Sequence, residues 1–310
     1  MTRRVVAEAY GGPEVLALQD IELSEPGEGQ VLVDVRAAGT NPFDYKVYSG
    51  QMGDDPARLP LPVGLEAAGV VAALGSGAVG YTGPLTVGDA VIVTNVDGTY
   101  AEQVLVRAAD LGHKPDSLSF EQAAGLLLAG ETAWHLLTNT GVGMGDTVLI
   151  HGASGGVGLM AVQLAVARGA TVIATASPAR HDQLREYGAE PVAYGAGLAD
   201  RVRAIGPVDA ALDLVGTDEA LDTSVELVAD RGRIATIAGF ARAGELGIAV
   251  LTGADGGQAI RDAARPELLA LAAAGKLEVT VDRVFPLAEA AEAHRYLQTG
   301  HARGKVVLVP

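Results

Sequence analysis

The stretch Thr147-Val148-Leu149-Ile150-His151-Gly152-Ala153-Ser154-Gly155-Gly156-Val157-Gly158 decides the fold. Its opening residues are apolar or β-branched and form too short a run for a helix, so they predict a buried strand. Four of the last seven residues are glycine. An apolar helix follows, predicted from Gly158 to Arg168 and stopped by Gly169. A dinucleotide-binding unit requires strand, glycine-rich turn and helix in this order. Glycine lets the chain turn tightly, lets the backbone approach a pyrophosphate, and lets strand and helix pack closely. The helix N-terminus then offers unpaired N–H groups to phosphate. Two other readings share the pattern. One is a tight strand-to-helix turn without a ligand. The other is a nucleophile elbow, since Gly152-Ala153-Ser154-Gly155-Gly156 also fits G-x-S-x-G. Ser154 would then need a later acid and base, such as Asp213 with His294 or His301. Gly158 has no role in an elbow, which favours the dinucleotide.

Downstream the chain alternates strand and helix. Thr171 to Thr175 reads as a strand, Ala179 to Tyr187 as a helix, and Val192 to Tyr194 as a short strand, with further strands at Val208 to Val215 and Arg233 to Ile237. That alternation predicts a doubly wound parallel sheet. A carboxylate about 20 residues past the first glycine would mark NAD. Here the segment reads Ala174-Thr175-Ala176-Ser177-Pro178-Ala179-Arg180, with no acid before Asp182. Ser177 and Arg180 instead suit a 2′-phosphate, so the cofactor is predicted to be NADPH. The plainer reading of Arg180 is a solvated helix residue.

Upstream, the first ~115 residues read as short strands between Gly, Pro and Asp turns, an all-β unit. Helices are predicted at Pro266 to Ala274 and Leu287 to Leu297, and a last strand at Lys305 to Val309. The tail is expected to join the β-rich unit, giving a discontinuous domain of residues 1–118 and 260–310 around a dinucleotide domain of 119–259.

Composition narrows the partners. Lys+Arg is 22 against 38 Asp+Glu, a net charge of −16, which repels nucleic acid and anionic membranes. There are no cysteines, so disulfides and thiolate-bound metals are excluded. Glu8 interrupts the apolar opening too early for a signal peptide, and no apolar run reaches the ~18 residues of a membrane span. The expectation is a cytoplasmic protein with neither nucleic-acid nor membrane partners.

Further motifs carry a family resemblance. They are Gly11-Gly12-Pro13-Glu14-Val15-Leu16, Gly39-Thr40-Asn41-Pro42-Phe43-Asp44-Tyr45-Lys46, Gly64-Leu65-Glu66-Ala67-Ala68-Gly69, Val87-Gly88-Asp89, Gly98-Thr99-Tyr100-Ala101-Glu102, Gly130-Glu131-Thr132-Ala133 and Arg303-Gly304-Lys305-Val306-Val307-Leu308. In this order they resemble the zinc-independent quinone oxidoreductases and enone reductases of the medium-chain dehydrogenase/reductase superfamily. The resemblance implies an α/β fold: a Rossmann doubly wound sheet plus a discontinuous GroES-like β-barrel domain. It also implies hydride transfer from NADPH to a small quinone, or to the β-carbon of an α,β-unsaturated carbonyl. The zinc branch has Gly-His-Glu where this chain has Gly64-Leu65-Glu66, and Cys where it has Asn41, so no catalytic metal is expected.

By resemblance, Ser154, Gly155, Gly156 and Val157 line the pyrophosphate, Tyr194 the adenosine side, and Gly216, Thr217, Ala238, Gly239 and Phe240 the carboxyl ends of later strands. Thr132 is expected to open a helix facing the nicotinamide. Without zinc, hydrogen-bond donors must stabilise the growing oxyanion. Asn41, Lys46 and Tyr48 are the candidates. Their plainer readings are an Asx-turn before Pro42 for Asn41 and a packed surface lysine for Lys46. Glu66, without a metal partner, is expected to cap or pair locally. A homodimer through an edge strand near Gly247 to Leu251 is also implied. The alternatives carried forward are a specialised biosynthetic enoyl reductase and a non-catalytic NADPH-binding relative.

Overall fold

The computed structural model describes residues 1–254 and 256–310. Up to residue 128 the chain forms β1 (Thr2–Ala7), β2 (Leu16–Ile21), β3 (Gln30–Gly39), α1 (Pro42–Tyr48), β4 (Leu61–Pro62), β5 (Glu66–Leu74), β6 (Val79–Gly80), β7 (Gly83–Pro84), β8 (Ala90–Thr94), β9 (Gln103–Arg107), β10 (Leu111–His113) and α2 (Phe120–Ala124). There follow α3 (Leu127–Asn139), β11 (Thr147–His151), α4 (Gly156–Ala167), β12 (Thr171–Thr175), α5 (His181–Glu186), β13 (Glu190–Val192), α6 (Leu198–Arg203), β14 (Ala210–Asp213), α7 (Asp218–Leu227), β15 (Ile234–Thr236), α8 (Phe240–Leu246), β16 (Ala249–Val250) and α9 (Gly257–Ala273). The described elements end with β17 (Val281–Pro286), α10 (Ala290–Gln298) and β18 (Lys305–Val309). Two compact units result. One comprises Met1–Leu128, Leu269–Gly275 and Val279–Pro310; the other comprises Ala129–Leu268 and Lys276–Glu278.

The first unit is built on a sheet of order β10-β8-β5-β3-β18-β17, with β9 also paired to β3. β17 and β18 run parallel and the other pairs antiparallel. A smaller sheet has the order β2-β1-β4. The strands alternate as a one-face core requires. Val31, Val33 and Val35 point inward on β3 and pack with Val91, Val93, Val104 and Leu308. β18 joins β3 through Val307 opposite Gly39, so the tail completes this unit.

α1 follows from its sequence. Asn41 precedes a proline and is extended, as the pre-proline residue must be (φ −141°, ψ 148°), and Pro42 takes the first helical position. The Asp44 carboxylate accepts from the Asn41 N–H at 2.8 Å.

The second unit has one six-stranded sheet of order β13-β12-β11-β14-β15-β16. Every pair is parallel. Counted from its own first strand, the order is 3-2-1-4-5-6, the doubly wound dinucleotide arrangement. α4 is buried along most of its length, from Gly158 to Ala165, which explains its apolar sequence on every side. Its one internal amide, Gln163, is satisfied by Leu159 and by both backbone groups of Glu278.

Two expectations about helices fail. The helix predicted from Pro266 begins at Gly257, with Pro266 inside it. An interior proline forfeits a backbone bond, but Ala264, Leu268 and Ala272 recur at helical spacing and are all buried. That burial outweighs the loss. Thr132 does not open a helix either. It lies within α3 and is 6% exposed.

Candidate active site

β11 ends at His151, and the chain turns at Gly152 in the left-handed region (φ 72°), where a side chain would be strained and its Cβ would lie 2.6 Å from Val215 Cγ1. A Cβ on Gly158 would lie 2.3 Å from the Gly152 carbonyl oxygen, so this glycine sets how closely helix and turn pack. Gly155 differs. Its nearest neighbour to a Cβ is 3.6 Å away, and it is the N-cap of α4 with no side-chain cap of its own. The start of a twelve-residue helix is thus left to something other than a capping side chain. Ser154, Gly155, Gly156 and Val157 line this turn and are all half-buried. Beneath it, the His151 Nε2 is buried with no partner, and burial lowers the imidazole pKa to about 4 despite the nearby Asp213 carboxylate. The side chain is therefore neutral at pH 7.

The neighbouring strand supplies the next piece. β12 pairs with β11, and the Ala153 N–H bonds the Thr175 carbonyl at 3.2 Å. Ser177 and Arg180 bracket the single 3-10 turn Pro178–Arg180 that follows β12, joined by Arg180 N to Ser177 O at 2.9 Å. The structure therefore brings the two residues predicted for a 2′-phosphate together, beside the glycine turn.

Tyr194 lies outside the short strand expected for it, in a loop after β13, 60% exposed. Arg201 holds that loop by donating to the carbonyls of Ala193, Gly195 and Ala196. On the other side of β11, Gly216 turns at φ 72° and Thr217 caps α7 by accepting from Ala220. Ala238, Gly239 and Phe240 follow β15, with Phe240 42% exposed.

In the first unit the candidates meet two buried networks. Asn41 is 3% exposed. Its side-chain oxygen accepts from Lys305 Nζ at 2.6 Å, and its amide nitrogen donates to Glu66 Oε1 at 3.0 Å. Lys305 spends its other two protons on Glu66 Oε1 (2.9 Å) and the Thr40 carbonyl (3.0 Å). Glu66 Oε2 accepts from the Leu128 N–H. Glycine makes room for the pair. A Cβ on Gly39 would lie 2.7 Å from Glu66 Oε1, and one on Gly125 would lie 2.9 Å from Lys305 Cγ.

The second network ties α1 to α10. Tyr48 Oη bonds His294 Nδ1 at 2.7 Å, and the two rings stack at 5.5 Å. His294 Nε2 meets Tyr100 Oη at 3.0 Å, and Tyr100 donates to Asp44 Oδ2 at 2.7 Å. Burial dominates here. It raises the Asp44 pKa to about 7 against the pull of Tyr100 and Asn41, lowers that of His294 to about 4, and raises those of both tyrosines. Asp44 also lines a cavity of about 30 Å³ with Phe43, Val47, Tyr48 and Leu65. Tyr48 is 1% exposed, whereas Lys46, on the same helix, is half-buried.

Comparison with known proteins fits this geometry. The alcohol dehydrogenase GroES-like domain model matches residues 27–116, and the zinc-binding dehydrogenase model matches residues 181–308. A quinone oxidoreductase of Pseudomonas aeruginosa is 36% identical over 100% of both chains. This chain belongs to the quinone oxidoreductase branch of the medium-chain dehydrogenase/reductase superfamily. It is an oxidoreductase of that branch, with the α/β fold read from its sequence. The chloroplastic NADPH-dependent alkenal/one oxidoreductase of Arabidopsis thaliana is 32% identical, over 97% of this chain and 78% of its own. The structure of the Escherichia coli quinone oxidoreductase complexed with NADPH superposes with a TM-score of 0.86, at 28% identity over 99% and 100% of the two chains.

The Asp213–His294 pair that a hydrolase would need is not formed: Asp213 accepts from Val215, Gly216 and Thr236, and His294 has both ring nitrogens committed to tyrosines. Sequence reasoning gave Lys305 and Tyr100 no role beyond their motifs and offered His294 only as a hydrolase base. For Lys305 a signal existed, because it opens the apolar run Val306-Val307-Leu308-Val309, and an ammonium drawn into such a strand demands a buried partner. No helix among the described residues is long and apolar enough to cross a membrane.

Proposed function

We propose that this oxidoreductase uses NADPH to reduce quinones or the C=C bond of α,β-unsaturated carbonyls, without a metal. One observation carries the cofactor reading: an uncapped helix start at an open glycine beside the Ser177–Arg180 turn, with no carboxylate at the end of β12. Bound there, NADPH supplies the hydride. Ser154 to Val157 receive the pyrophosphate on backbone N–H groups, Ser177 and Arg180 the 2′-phosphate, and Tyr194 the adenine. Thr132, Gly216, Thr217, Ala238, Gly239 and Phe240 shape the remaining contacts.

Charge that develops on the acceptor's carbonyl oxygen needs a donor, and Lys46 supplies it. Asn41 and Tyr48 serve the same step by fixing α1, since their own polar groups are held by Lys305, Glu66 and His294. The donor set supports chemistry without zinc. The chain has no thiolate, Leu65 offers no ligand atom, and both Glu66 oxygens are taken. β16 is the edge of its sheet, with Val250 40% exposed, and we propose it as the seam of a homodimer.

The test is oxidation of NADPH and NADH with 1,4-benzoquinone, 9,10-phenanthrenequinone, methyl vinyl ketone and a 2-alkenal, before and after dialysis against a chelator. The expected result is turnover with NADPH, unchanged by the chelator. No oxidation with any acceptor overturns the reading.

A further inference from the structure

The carboxyl ends of β14 and β15 carry a contact that the cofactor reading above does not use. Asp213, the last residue of β14, is fully buried. Its carboxylate accepts from Val215 N at 3.1 Å, from Gly216 N at 2.9 and 3.1 Å, and from Thr236 Oγ1 at 2.6 Å. Thr236 ends β15 as the register partner of Asp213. Its hydroxyl gives its proton to Asp213 and accepts from Ala238 N at 3.0 Å and Gly239 N at 2.8 Å. Two side chains thus fix four backbone N–H groups, two in each loop. The loops also touch: a Cβ on Gly216 would lie 2.8 Å from the Ala238 carbonyl carbon.

We propose that Asp213 and Thr236 are positioning residues, a carboxylate–hydroxyl latch that presets the loops after β14 and β15 to receive the nicotinamide half of the dinucleotide. The proposal rests on the NADPH reading. In a 3-2-1-4-5-6 sheet the ligand lies across the switch point between β11 and β14. The Ser177–Arg180 turn after β12 marks the adenosine end. The opposite end of the ligand therefore falls on the loops that the latch joins. Preset loops need no ordering on binding, which favours affinity.

The chemistry requires an acceptor-only group at residue 213. All its partners donate, and Thr236 Oγ1 has no lone pair free because two N–H groups already point at it. In Asp213→Asn, either orientation of the amide sets an N–H against another donor. Thr236→Val removes the hydroxyl at nearly constant volume, and Thr236→Ser keeps it.

The experiment measures the Kd of NADPH from nicotinamide fluorescence and that of adenosine 2′,5′-bisphosphate by calorimetry, on wild type and all three variants. The bisphosphate reports the adenosine end alone. The expected result is at least tenfold weaker NADPH binding in Asp213→Asn and Thr236→Val, bisphosphate binding within twofold of wild type, and near wild-type values for Thr236→Ser. Equal weakening of both ligands, or unchanged NADPH affinity in Thr236→Val, overturns the latch. A wild-type chain that binds neither ligand overturns the cofactor reading beneath it.

Discussion

Asp44→Asn tests the buried network under α1 through its pH dependence. Burial raises the Asp44 pKa from 3.8 to about 7, opposed by bonds from Tyr100 and Asn41 and by Lys305, and assisted by Glu66. Between those two values the folded state holds a proton that the unfolded chain has released. Stability from this group is complete below pH 3.8 and is lost as pH rises through about 7. Each unit is about 1.4 kcal/mol, so wild type should lose about 3 kcal/mol relative to Asp44→Asn between pH 5 and pH 8. His151 and His294 carry the opposite slope: their folded values near 4 make stability rise with pH up to 6.5. Both proteins share that slope, so the difference isolates Asp44. The amide can still accept from Tyr100 and from the Asn41 N–H. Urea unfolding followed by circular dichroism at pH 5, 6, 7 and 8 measures it. Trp134, the single tryptophan, lies in the other unit, so its fluorescence follows that unit separately. Parallel stability curves, or a variant that loses ground as pH rises, would refute the account.

Lys305→Met leaves the buried Glu66 carboxylate without its counter-charge, with only the bonds from the Asn41 amide and the Leu128 N–H, and should cost about 3–5 kcal/mol in urea unfolding. Adding Glu66→Gln should recover part of that loss, and strictly additive single effects would contradict the pairing. Arg180→Ala removes a charge-assisted contact worth about 1.5–3 kcal/mol, so the KM for NADPH should rise roughly 10- to 100-fold with that for NADH nearly constant. Equal changes would count against the 2′-phosphate assignment. Gly155→Ala meets no neighbour closer than 3.6 Å and should keep its thermal midpoint while losing NADPH affinity. Gly158→Ala drives a methyl to 2.3 Å from the Gly152 oxygen and should lower the midpoint itself.

The dinucleotide half was legible because its determinants are local. One strand, one glycine turn and one helix lie within residues 147–168, and Ser177 and Arg180 sit in the next turn. Each could be read from neighbours in sequence. The other half was not, because its bonds are distant. Asn41 meets Lys305 across 264 positions, and Tyr48 meets His294 across 246. No periodicity carries such pairings, and His294 on its own amphipathic helix looks like any other core histidine. The consequence concerns mechanism. α1 carries Lys46, and besides Tyr100 and Glu66 it is held by two residues from the last 17, His294 on α10 and Lys305 on β18. The posture of the proposed donor thus depends on residues far away in sequence, and a substitution at either His294 or Lys305 should alter turnover while cofactor affinity in the other unit stays where it was.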